Sequence, residues 1–213
     1  SFPTRRSSDL TREGADIILI ETMSDIYEAK AAILAAKENS NLPVICTMSY
    51  QGNGRTLTGT DPLTMVNVIQ SLGVDALGVN CSLGPNEMLP IITEILKYAS
   101  VPVIVQPNAG LPKLKNGEAF YDVNAHEFAR YTKIMAEMGV TLLGGCCGTT
   151  SEHIKYIYNM LKELKPVKRD VKKITAVSSP SLTVVLGEDI RIIGERINPT
   201  GKKKLKERSE ETR

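Results

Sequence analysis

Cys146 and Cys147 stand next to each other inside Leu142-Leu143-Gly144-Gly145-Cys146-Cys147-Gly148-Thr149-Thr150, where an apolar strand runs out into a glycine turn. Adjacent cysteines do not readily pair with each other, because a disulfide holds its Cα atoms ~4.4–6.8 Å apart at a specific torsion. Two thiolates side by side do suit a soft metal such as zinc. Cys81 ends a second apolar stretch, Val74-Asp75-Ala76-Leu77-Gly78-Val79-Asn80-Cys81. Three thiolates at strand ends leave one zinc position open, and an open position serves catalysis, not scaffolding. The fourth cysteine, Cys46, falls inside an apolar strand and reads as a small buried hydrophobe. No Cys-x-x-Cys occurs, which argues against a redox pair.

Other polar residues fall at comparable places. Glu21 follows an apolar strand, where a carboxylate without a cationic partner would be costly. Asn108 lies beside Pro107 and Gly110, so it reads either as a turn residue or as an oxygen donor to the metal. His126 and His153 fall on predicted helices and read as cap or surface residues, not ligands. Lys202-Lys203-Lys204 reads as a solvated helix start.

The elements that must position these residues alternate. Buried strands are expected at residues 16–20, 43–48, 75–80, 101–106 and 141–143. The first strand is read as fully buried. Helices fall between them. The first is capped by Thr22 or Ser24 and carries Ile26, Ala29, Ile33 and Ala36 on one stripe. The second is capped by Thr60 or Asp61, with Pro62 in its first turn, and ends at Gly73. The third covers 86–99 with Met88, Ile91, Ile92 and Ile95 inward, and the fourth covers 124–138 up to Gly139. The last is capped by Ser151 and contains Ile154, Ile157, Leu161 and Leu164.

Five strand–helix units in a row predict an α/β protein with a parallel sheet. An open doubly wound sheet and a (β/α)8 barrel both fit that rhythm. No Gly-x-Gly-x-x-Gly turn follows a strand, which weakens the dinucleotide-binding option. Glu21, Cys81, Asn108, Cys146 and Cys147 each follow a strand C-terminus, which is how barrel enzymes assemble their sites. Five units cannot close a barrel of eight, so the expectation is an incomplete TIM barrel. After Leu164 the chain becomes charged and proline-marked, and residues 174–187 read as irregular or extended. A new strand is expected at Ile190-Arg191-Ile192-Ile193.

Bulk properties exclude some classes. A formal net charge of +2 over 213 residues gives no strong attraction to nucleic acid or anionic membrane. Hydrophobic residues reach 42 %, enough for a packed core, yet no run approaches the ~20 needed to span a bilayer. Four cysteines without a visible secretory leader point to a reducing, cytoplasmic setting.

Taken together, Val79-Asn80-Cys81 and Gly144-Gly145-Cys146-Cys147-Gly148 resemble the zinc-dependent homocysteine S-methyltransferase domain. Ile20-Glu21-Thr22-Met23-Ser24-Asp25, Gly54-Arg55-Thr56-Leu57-Thr58-Gly59-Thr60 and Gln106-Pro107-Asn108-Ala109-Gly110-Leu111-Pro112 are similar to the version found in cobalamin-dependent methionine synthases. Gly194-Glu195-Arg196-Ile197-Asn198-Pro199-Thr200-Gly201 is similar to the start of their methyltetrahydrofolate- or pterin-binding barrel.

The resemblance implies a TIM barrel of which this chain holds roughly units four to eight. It implies zinc on Cys81, Cys146 and Cys147, and homocysteine as substrate with Glu21 holding its amino group. Asn108 would serve as a further substrate-site residue. Methylcobalamin, bound by another domain, would donate the methyl group, and the cobalamin and folate domains would be partners. The expected organisation is a non-native leader at 1–9, a partial barrel at 10–165, a linker at 166–187 and the start of a pterin-binding domain at 188–213. Two other readings stand beside this one: a cobalamin-independent methyltransferase with a sulfonium or betaine donor, and a non-catalytic zinc-binding fragment.

Overall fold

The computed structural model describes residue 9 and residues 12–115, 118–187, 189–192 and 194. Its core elements are β1 (Ile18–Met23), α1 (Ile26–Asn39), β2 (Val44–Met48), α2 (Pro62–Ser71), β3 (Ala76–Asn80), α3 (Pro85–Tyr98) and β4 (Val103–Gln106). There follow a small hairpin of β5 (Lys113–Lys115) and β6 (Glu118–Phe120), then α4 (Ala125–Met138), β7 (Leu142–Leu143) and α5 (Ser151–Leu161). The last elements are β8 (Thr175–Ser178) and β9 (Thr183–Leu186).

The main sheet has strand order β1-β2-β3-β4-β7, and every neighbouring pair is parallel. Strands therefore follow one another around the sheet without the reversal of order that marks a doubly wound fold. Because all five run the same way, their C-terminal ends lie along one rim. β3 is buried at every position, which suits its apolar sequence. Gly78 lies at its centre because β4 comes too close for a side chain. A Cβ there would stand 1.7 Å from the Ile104 carbonyl oxygen.

The helices cover the sheet through stripes of apolar residues. Met88, Ile91, Ile92 and Ile95 of α3 are buried as their spacing predicts. Burying a side chain the size of Ile92 is worth ~1.5–3 kcal/mol relative to exposure. Apart from α3, which starts at Gly84 without a side-chain cap, the helix starts are capped by polar side chains on free N–H groups. Asp61 accepts from Thr64 N–H at 2.8 Å, and Asn124 accepts from Glu127 N–H at 3.0 Å. α4 ends on Gly139 in the left-handed region, as the sequence indicates.

Several expectations are corrected. β1 is an edge strand of the described sheet and is not fully buried: Ile17 is 51 % and Leu19 42 % exposed. Its helix α1 is capped by Asp25, which accepts from Tyr27 and Glu28 N–H, not by Thr22 or Ser24. Thr150, not Ser151, caps α5, and its partner in the cap is His153. Ile154 faces outward and α5 stops at Leu161, short of Leu164. The strand expected at 190–193 does not form among the described residues. Ile190 and Ile192 are almost fully exposed, and no strand among the described residues pairs with them. The rest of 188–213, and most of 1–9, lies outside the described residues.

The stretch after α5 is more ordered than its composition suggests. Arg169 donates to the carbonyls of Leu96, Ala99 and Val101, tying off the C-terminal end of α3. Burial of this guanidinium lowers its pKa. β8 and β9 form an antiparallel hairpin that rests on α2. It is pinned by Thr60 Oγ1 to Pro180 O (2.7 Å), Asn67 Nδ2 to Ser178 Oγ (2.8 Å), and the Thr64–Thr183 hydroxyl pair (2.9 Å). Among the described residues no helix is long and apolar enough to cross a membrane.

Candidate metal centre

The sulfur atoms of Cys81, Cys146 and Cys147 all lie within 4.8 Å of one another. Cys81 Sγ is 3.7 Å and Cys146 Sγ 4.0 Å from Cys147 Sγ. All three are free thiols, far beyond disulfide bonding distance. Zinc–sulfur bonds of ~2.3 Å at tetrahedral angles set ligand sulfurs ~3.8 Å apart. The residues present therefore fit a tetrahedral thiolate site with one position left over. Cys46 is wholly buried in β2 and takes no part; burial pushes its thiol up to about 12.

Two loops hold the cluster. Cys81 follows β3 with φ +60°, and Ser82 repeats that left-handed conformation at +61°. Cys81 N–H donates to Gln106 O (3.0 Å), which ties the turn to β4. On the other side, the 107–109 loop cradles the cysteine pair. Cys146 N–H donates to Pro107 O (2.8 Å), and Ala109 N–H donates to Cys147 O (2.9 Å). Cys147 N–H donates to Asn108 Oδ1 at 3.1 Å. Asn108 N–H in turn donates to Leu83 O (3.0 Å), two residues beyond Cys81. Asn108, 2 % exposed, is thus a strut between the loop of Cys81 and the loop of Cys146 and Cys147.

Electrostatics follow from three thiols sharing a small space. Burial, a hydrogen bond with Cys81, and the charges of Cys81 and Cys147 push the Cys146 thiol up to about 12. Three thiolates so placed would repel one another, and a cation between them would relieve that repulsion. Tyr121 borders the cluster. Its phenol is raised by burial, by a hydrogen bond with Cys147, and by the three thiolate charges. Gly148 makes room for its ring: a Cβ there would meet Tyr121 Cγ at 2.3 Å.

Glu21 lies within β1, not beyond it, and is exposed. The β1–β2 register slips between Ile20 and Met23, so Glu21 and Thr22 form a bulge at the rim. Bulges re-aim side chains and recur beside active sites. Gln106 Oε1, at the end of β4, is buried without a hydrogen-bond partner among the described residues. His153 is not near ligation. Its Nδ1 accepts from Thr150 N–H (3.2 Å), which leaves the proton on Nε2, facing Val123 O at 3.1 Å. His126 is exposed and packs edge-on against Tyr156.

Sequence reasoning missed Tyr121, Thr22 and Asn80. Only Asn80 left a trace, as a polar residue at the end of an otherwise apolar strand.

A family model described as Homocysteine S-methyltransferase matches residues 3–161. Two curated relatives, each called methionine synthase, come from Mycobacterium tuberculosis and Mycobacterium leprae. They are 35 % identical over 202 residues and 34 % over 207 residues. Each alignment covers 91 % of this chain, and the chain spans 17 % of each relative's length. Among solved structures, the homocysteine methyltransferase MmuM from Escherichia coli is similar in its apo form (TM-score 0.58, 22 % identity) and its metallated form (0.54, 21 %). These cover 75 % and 73 % of this chain and 54 % and 51 % of MmuM, a likeness of fold.

Proposed function

We propose, because the chain belongs to the homocysteine S-methyltransferase family, that Cys81, Cys146 and Cys147 hold zinc and present homocysteine sulfur for methylation to methionine. The carrying observation is the sulfur triangle, with edges of 3.7 and 4.0 Å. Bound zinc would keep the thiol of a fourth ligand deprotonated at neutral pH. Only a thiolate is an effective nucleophile. Its sulfur takes the methyl group, the donor keeps the electron pair of the broken bond, and a neutral thioether leaves.

The chain's own residues prepare that step. Asn108 braces the two cysteine loops against each other and lines the substrate site. Glu21 offers its carboxylate to the substrate ammonium group from the same rim. In this reading the five parallel strands are the later units of an eight-unit TIM barrel at 10–165. Residues 166–187 are the connection, and 188–213 begin a pterin-binding domain. Methylcobalamin on a separate domain is the donor, with the cobalamin and folate domains as partners. The 194–201 segment supports that choice over a sulfonium or betaine donor.

A second reading, metal binding without turnover, is favoured by the exposed edge of β1 and by the exposure of Glu21. One experiment separates the two. Wild-type protein should hold one zinc per chain, and Cys146→Ala and Cys147→Ala should each lose it. Methionine formed from methylcobalamin and homocysteine supports the catalytic reading. Zinc without methionine leaves only the second reading, and zinc unchanged in both variants sinks the cluster assignment.

A further inference from the structure

Among the described residues, three that are not glycine have φ in the left-handed region, and all three sit on the site rim: Thr22 (+60°), Cys81 (+60°) and Ser82 (+61°). A β-branched residue in that conformation is unusual and needs surroundings that hold it there. For Thr22 those surroundings are Asn80. Thr22 N–H donates to Asn80 Oδ1 at 2.9 Å, and Asn80 Nδ2 donates to Thr22 Oγ1 at 2.7 Å. Thr47 of β2 donates its hydroxyl to the same Oδ1 at 2.7 Å. Asn80 is 1 % exposed, so this amide clasps three strand ends from inside the core.

The clasp has two ends of different chemistry. At one end is the bulge that carries Glu21 next to Thr22. At the other, Asn80 is bonded in sequence to Cys81. A second rung repeats the pattern, with Ser49 N–H donating to Met23 O (2.8 Å) and Ser49 Oγ lying 2.5 Å from Ser82 Oγ. Neither rung reaches a sulfur atom. Together they tie the strand end that carries Glu21 to the strand end that precedes Cys81.

We propose that Asn80 is a positioning residue that fixes Glu21 relative to the three sulfurs, so that the site discriminates for thiols bearing an amino group. The proposal rests on the zinc–homocysteine reading above. Asn80 acts through Thr22 and the bulge, and touches no reacting atom.

The test compares homocysteine with 4-mercaptobutyrate, which keeps the thiol and carboxylate but lacks the amine. Binding of each is read from sulfur-to-metal charge-transfer absorption in cobalt(II)-substituted protein, which needs no turnover. Thr22→Ala removes one clasp bond and leaves Asn80 beside Cys81; Asn80→Ala removes all three. Both should retain one metal per chain. Both should weaken homocysteine about tenfold or more, the scale of one lost hydrogen bond to a charged group. Affinity for 4-mercaptobutyrate should stay within about twofold. Combined with Glu21→Gln, the Thr22→Ala loss should not add, since both act on one contact. Equal weakening of both thiols in Thr22→Ala, or no weakening of either, overturns the proposal. Should Asn80→Ala not fold, Thr22→Ala decides alone. Wild-type protein that binds neither metal nor thiol overturns instead the reading beneath it.

Discussion

Gly148 shows how little room the metal rim allows. Its φ is +78°, and a Cβ would press into the Tyr121 ring at 2.3–2.4 Å. A side chain in the left-handed region costs ~1–2 kcal/mol, and overpacking adds ~1–3 kcal/mol. Gly148→Ala should therefore lower stability by roughly 2–5 kcal/mol in urea unfolding, or else displace Tyr121 and weaken metal binding in a chelator competition. A variant unchanged in both assays would show that the loop is slacker than its geometry implies. At this scale the sequence was informative where residue type alone carries the chemistry. Adjacent cysteines and a distant third name their own use. Thr22 does not, because nothing in a threonine announces a left-handed turn, and the Asn80 bonds that impose it span 58 residues. Tyr121 was equally silent, since its role comes from a glycine 27 positions away in the chain.

Strand and helix positions follow from apolar periodicity and caps, and the structure keeps most of them within a residue or two. The misses have physical causes. β5 and β6 are three-residue strands without an apolar rhythm, paired antiparallel with each other. β8 and β9 depend on hydroxyl contacts to α2 that no local pattern encodes. Asp75 illustrates what joins neighbouring elements. Its Oδ2 accepts from Val44 N–H (2.8 Å) and from Lys37 Nζ (3.0 Å), connecting β2, α1 and the start of β3. The Val44 N–H and then Lys37 hold its carboxyl below the ordinary aspartate value. A depressed folded pKa gives stability that is complete above the unfolded value of ~3.9 and is lost as pH falls through the folded one. Asp75→Ala should thus be less stable than wild type at pH 7, with the gap closing below about pH 4. The carboxylate is half exposed, so the gap should be small and should shrink further in salt. A gap that persists undiminished at pH 2 would show that packing, not ionisation, is responsible.

Across the whole molecule, parallel order gathers every candidate side chain onto one rim, and this much follows from the alternation of strands and helices. What the sequence did not disclose is which strands lie at the sheet's edges, because an edge is defined by the absence of a neighbour. Among the described residues β1 is one such edge, with Leu19, and Ile17 just before the strand, open to solvent, and Leu142 of β7 is 39 % exposed at the other. An open apolar edge templates pairing with another chain. The protein should self-associate with rising concentration in sedimentation velocity, and Leu19→Lys should reduce that association. Equal behaviour of the two proteins would show that the β1 edge is not the contact.

The β8–β9 hairpin alters how the far side of the molecule is to be understood. Fastened to α2 by Thr60, Thr64 and Asn67, with Arg169 closing the path behind it, the segment works as a bracket and not as a leash. Anything the polypeptide carries after it departs from a fixed anchorage, so its reach is measured from the flank of α2, not from the last turn of α5.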